Sequence, residues 1–165
     1  MNLQEYCDSL PKDKIIDLAI RLAKAGLAVW DKYTADNPLT YTDSIVAMHH
    51  KVDKAILSDT LTDIETYTSS GKLARILGSK DLLAGRLLEF RDPIVSLQDA
   101  DWELPYEVEC IFYSVYNLLR AVTGEKQTAF DDESIIYVAI NQAIDAMDTA
   151  KLKTEEEIRS ILYGN

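Results

Sequence analysis

The stretch Tyr106–Val122, YEVECIFYSVYNLLRAV, decides the fold class of this chain. Val108, Ile111, Phe112, Val115, Leu119 and Val122 recur at steps of three and four, which stacks them on one face of an α-helix. The other face carries Tyr106, Cys110, Tyr113, Asn117 and Arg120, so it is aromatic rather than simply polar. A helix with this make-up has reason to meet neighbours on both sides, and its place is the centre of a bundle.

Downstream, Gly124 stands where a left-handed residue closes a helix. Asp131-Asp132-Glu133 leads into a helix carrying Ile135, Ile136, Ala139, Ile140, Ala143, Ile144 and Met147. Thr154-Glu155-Glu156-Glu157 has the spacing of a capping box, with Ile158, Ile161 and Leu162 behind it. Upstream, Val95–Pro105 (VSLQDADWELP) keeps no helical period and reads as a connection. Before it lie a short helix over Lys72–Leu77 that stops at Gly78 and a second one, capped by Ser79, that runs through Phe90 and ends by Pro93. Thr68-Ser69-Ser70-Gly71 reads as a loop.

Thr42 or Asp43 reads as the cap of a helix bearing Ile45, Val46, Met48, Val52, Ile56 and Leu57, which continues or restarts near Ser58 through Leu61, Ile64 and Tyr67. Pro11 opens a long helix from Lys12 to Tyr33, ended by Asn37-Pro38, because a residue before proline is pushed out of the α region. Gly26 inside it costs about 1 kcal/mol relative to Ala, which calls for close packing or a kink. Leu3–Ser9 is a short amphipathic segment. There is no strand alternation, hairpin dipeptide or internal repeat, so the expectation is an all-α, single-domain chain over 1–165, a bundle of about six to eight helices.

The net charge of −11 disfavours nucleic acid, whose phosphates attract Lys and Arg and repel such a surface. MNLQEYCDSL has no basic start followed by an apolar run, and Asp17, Arg21 and Lys24 interrupt the longest apolar stretch. A cytoplasmic protein without a membrane span is therefore expected. Cys7 and Cys110 form no CxxC pair and read as small buried hydrophobes in a reducing compartment.

Catalytic chemistry finds little to stand on. His49-His50, with Asp43 and Asp53 close by, is the strongest metal candidate, since His49 and Asp53 would share a helical face four residues apart. Adjacent histidines on a helix diverge by about 100°, however, and the chain has only these two. Asp145 and Asp148 offer one acid pair of the kind a helical, magnesium-dependent pyrophosphohydrolase uses, with no matching pair elsewhere. Gly-rich phosphate loops and nucleophile motifs are missing. The expectation is a protein that is not an enzyme, with no metal and no cofactor.

Charge is more informative. From Asp99 to Glu133 nine carboxylates stand against Arg120 and Lys126, a net −7 of the total −11. Trp102, Tyr106 and Tyr113 are interleaved with Asp99, Asp101, Glu103, Glu107 and Glu109. Exposed aromatics among carboxylates make a protein-binding surface, where aromatics anchor and charges steer. The plainer account is that acids near a helix start quiet its dipole, at about 0.3–1 kcal/mol each, while the aromatics are core.

The acidic, aromatic entry Trp102–Glu109, WELPYEVE, in a small all-helical chain resembles the immunity proteins of bacterial polymorphic-toxin and contact-dependent inhibition systems. The resemblance is one of size, helical layout and charge, and no motif aligns residue by residue. It implies a stoichiometric inhibitor that occludes a toxin domain, often a basic nuclease. The site expected on this reading is Asp99, Asp101, Trp102, Glu103, Tyr106, Glu107, Glu109 and Tyr113, facing a basic protein partner. The alternatives are the metal-dependent hydrolase and a homo-oligomeric scaffold using Tyr106, Tyr113 and Asn117.

Overall fold

A computed structural model describes residues 2–69, 80–124 and 134–164. Helices α1 (Leu3–Ser9) and α2 (Lys12–Asp36) are followed by strands β1 (Thr40–Thr42) and β2 (His49–Lys51). Then come α3 (Ile56–Ser69), α4 (Lys80–Gln98), α5 (Tyr106–Thr123), α6 (Ile135–Thr149) and α7 (Glu155–Tyr163). The described residues thus form an all-α bundle of seven helices with one two-stranded sheet.

Helix α5 is central, as its two-sided pattern predicts. It packs against α2, α3, α4 and α6, and α2 and α6 also pack on each other. Ile111, Phe112, Val115, Leu118 and Leu119 are fully buried in this core. Phe112 has Trp30 of α2 at 5.5 Å and Phe90 of α4 at 5.1 Å, ring centre to ring centre. Gly26 is explained by close packing: a β-carbon there would lie 2.7 Å from Ile111 Cδ1. The helix ends follow the local signals. Gly124 takes φ +79° past the end of α5, and Thr154 and Glu157 close a reciprocal capping box on α7. No described helix is long and apolar enough to cross a membrane.

Two expectations are overturned. The helix expected from Thr42 or Asp43 is instead an antiparallel hairpin, pairing Thr40 with Lys51, Tyr41 with His50 and Thr42 with His49. Asp43 does cap, but it caps a turn: its Oδ1 accepts the amides of Ile45 and Val46 at 2.8 and 3.1 Å. An aspartate accepting amides two and three residues on is the shared signature of a helix start and of an Asx turn, so the local signal is ambiguous. The start of α3 belongs to Asp53, whose Oδ1 accepts the Ala55 amide at 2.9 Å.

Nor does Pro93 end α4, which runs through it to Gln98. An interior proline costs about 3 kcal/mol through the lost hydrogen bond and the clash with the preceding turn. Phe90 and Ile94, both buried, return about 1.5–3 kcal/mol each by leaving water, so tertiary packing outweighs the break. The short helix expected over Lys72–Leu77 lies outside the described residues, as does the acidic run Asp131–Glu133.

Candidate functional site

Of the eight residues expected to form the site, Asp99, Asp101, Trp102 and Glu103 lie in the turn joining α4 to α5, and the rest lie on α5. Ala100, at φ +60°, reverses the chain after α4. The Trp102 amide then donates to the Ser96 carbonyl at 3.1 Å, and Pro105 starts α5. This backbone route turns the Trp102 indole inward.

Trp102 is therefore a correction to the expected surface, being only 5% exposed. Its ring stacks on Tyr41 of β1 at 5.6 Å and meets Phe112 edge-on at 5.6 Å. It joins the hairpin to the central helix and has no face left for a partner. Tyr106 is 60% exposed and remains available. Tyr113 is half-buried; burial, then Glu109 beside it, raises its phenol above the ordinary range.

The acids do not form one cluster. Residues two apart on a helix point about 160° away from each other, so Glu107 and Glu109 face different sides of α5. Glu107 lines a groove of about 460 Å³ with Lys32, Tyr33 and Asp36 of α2 and with Lys151 and Leu152 beyond α6. Glu109 shares its side of the helix with Tyr106 and Tyr113. The structure adds a residue there: Asp145 of α6 lies near the Tyr106 phenol and the Cys110 thiol. The phenol is held above its ordinary range chiefly by its hydrogen bond with Cys110, with Asp145 contributing. Cys110 is pushed up by burial first and by Asp145, Glu109 and Glu107 after it, so its thiol stays protonated near neutrality. Sequence spacing alone had no means of joining Asp145 to Tyr106, because the contact crosses between helices.

Asp101 turns the other way. Its Oδ2 accepts the Ser44 amide of the hairpin turn at 3.2 Å, so the acidic turn and the β1–β2 connection are fastened together. The outer surface consequently has two parts: a strip of Tyr106, Glu109, Tyr113 and Asp145, and a corner of Asp99, Asp101 and Glu103 against the hairpin.

The residues proposed for metal chemistry are dispersed. His49 and Asp53 do not share a helix; the His49 Nδ1 and the Thr42 Oγ1 share a hydrogen bond of 2.9 Å across the strands. His50 stacks on Tyr41 at 5.0 Å. Among the described residues no three His, Cys, Asp or Glu side chains gather as a metal-binding group. The scaffold face is also reduced. Asn117 is buried, donates to Gln142 Oε1 at 2.9 Å and accepts from Arg120 at 3.1 Å, so it is committed inside the fold. No family model, no curated protein and no solved structure matches the chain, so the site is read from its own geometry.

Proposed function

We propose that this protein is a non-enzymatic inhibitor of the immunity type, binding a basic protein partner, a toxin domain, through the acidic surface at the start of α5. The observation that carries this reading is Tyr106, largely exposed beside Glu109 and Asp145 at the edge of the most acidic segment of the chain. An aromatic ring with two rotatable bonds binds at low entropic cost, and neighbouring carboxylates speed encounter with a cationic surface. His49 lies on β2, Asp53 just before α3, and Asp145 and Asp148 on α6.

The test is to read the neighbouring gene and, where it encodes a large protein with a variable C-terminal toxin domain, to co-express that domain with this chain. Restored growth, with a one-to-one complex in sedimentation, is the expected result. Association followed by stopped flow should slow steeply as salt rises, because screening shortens the reach of surface charge to about 8 Å at physiological ionic strength. An association rate indifferent to salt, or growth arrest left unrelieved, would end the proposal.

A further inference from the structure

The connection between β1 and β2 displays Ile45 at 86% exposure and Val46 and Met48 at 57% each. A single exposed apolar side chain is ordinary, but three within four residues at one tip form a patch. The tip is also held firmly. The Asp43 carboxylate takes two amides of the turn, and the Asp43 amide donates to the Met48 carbonyl at 3.0 Å. Asp101 takes the Ser44 amide, and Tyr41 at the base of the hairpin is stacked between His50 and Trp102. Among the described residues nothing covers these side chains. A projection fixed in advance loses little freedom when a partner closes over it.

Charge selects the occupant. Asp43 and Asp101 are bonded into the base of the tip, Asp99 and Glu103 flank Asp101 in the same turn, and Asp92 lies with Asp43 around the Tyr41 phenol. On the other side His49 stands next to Met48, while Lys51 is at the far end of the strand pair, opposite Thr40. An anionic lipid surface is repelled by such a rim, and a loop made for it carries Lys and Arg instead. A second copy would bring like charges together. We infer that Ile45, Val46 and Met48 are the apolar anchor of the partner-binding surface, seated in a pocket of a cationic protein whose Lys and Arg meet Asp43, Asp99 and Asp101. This rests on the binding role proposed above and gives the surface the anchor that Trp102, being interior, does not supply.

The test places the photocrosslinking residue p-benzoylphenylalanine at Ile45 in the full chain, irradiates the cells that make it, and identifies the joined peptide by mass spectrometry. The expected product joins the tip to a protein segment with more Lys and Arg than Asp and Glu. The purified crosslinked protein is then titrated with the wild-type chain, with the Ile45→Ser/Val46→Ser/Met48→Ser variant and with Tyr106→Ala. The triple variant should keep the wild-type thermal midpoint and bind about 30-fold or more weakly, the scale of a hot spot. A crosslink to lipid, to a second copy, to an acidic segment or to nothing overturns the inference, as does sedimentation of the wild-type chain with phosphatidylcholine–phosphatidylserine vesicles. If the partner binds the wild type in a salt-dependent way and the triple variant equally well, the anchor is wrong and the binding role stands. If no protein binds the wild type, both fall.

Discussion

The junction of α2, α5 and α6 and the corner where the hairpin meets Trp102 are both built on α5, yet they are held by different kinds of information. At the junction Gly26, Ile111 and Ala143 come together because three helices each carry their own periodic stripe. At the corner Trp102 stacks on Tyr41 and meets Phe112 edge-on, although the three share no common local pattern. The first region assembles from elements that already know which face is inward. The second depends on contacts made only after the bundle exists.

The largest effect should come from the corner. Trp102→Ala removes a buried ring lying between Tyr41 and Phe112, and truncations of this kind cost about 3–5 kcal/mol. Urea unfolding should show that loss, and the amides of the hairpin should exchange faster than those of α5. Were the variant as stable as wild type, the ring would be a surface group after all. Trp102→Phe, which keeps a ring in place, should recover most of the loss.

At the junction the deciding change is Gly26→Ala. Helix propensity favours Ala by up to about 1 kcal/mol, whereas overpacking a filled core costs about 1–3 kcal/mol. Ile111 is fully buried, so its Cδ1, 2.7 Å from the new carbon, has little room to move. A net destabilisation of about 1 kcal/mol is expected in chemical denaturation. Adding Ile111→Val, which deletes that methyl, should make the pair of changes less costly than their separate effects combined. Strict additivity would mean that the two sites do not touch.

These two experiments also mark what the sequence made legible. The stripe of α5, the Gly124 stop and the Thr154–Glu157 box rest on residues that recur within about one turn of each other, where spacing alone carries the geometry. Gly26, by contrast, shows in the sequence only as a helix-interior glycine, and its reason, Ile111, lies on another helix. The hairpin was hidden because Ile45, Val46, Met48 and Val52 imitate a helical stripe when they are in fact a tip and the residue after a strand. Trp102 misleads for a related reason: interleaved acids suggest exposure, yet after the turn at Ala100 Glu103 is exposed, Asp101 is tied to the hairpin and the indole is buried. Asp145 and Tyr106 belong to different hypotheses in the sequence, since only packing of α6 on α5 relates them.

A smaller effect separates charge from geometry at the corner. Asp43→Ala removes the acceptor of two turn amides and should cost about 1 kcal/mol, the usual worth of such a cap, with faster exchange at Ile45 and Val46. Asp43→Asn keeps the acceptor oxygen and loses only the charge. Stability close to wild type with reduced association rate is expected for Asp43→Asn; equal losses in both variants would assign the role to charge alone.

The smallest effect concerns alkaline pH. Burial, opposed in part by a hydrogen bond with Ser96, raises the Tyr41 phenol above its ordinary value of 10.0, with Asp92 and Asp43 adding to the shift. A phenol whose folded pKa exceeds its unfolded one favours the folded state fully below pH 10, and that contribution fades as pH climbs through the folded value. The corner should therefore loosen above pH 10 before the junction does, and tryptophan fluorescence is suited to watch it because Trp102 stacks on Tyr41. In Tyr41→Phe the ring stays and the ionisable group goes, so the stability curve should flatten at the alkaline end. Tyr106, Tyr113, Cys7 and Cys110 are raised as well, which leaves a residual slope; a slope unchanged by Tyr41→Phe would place the alkaline response outside the hairpin.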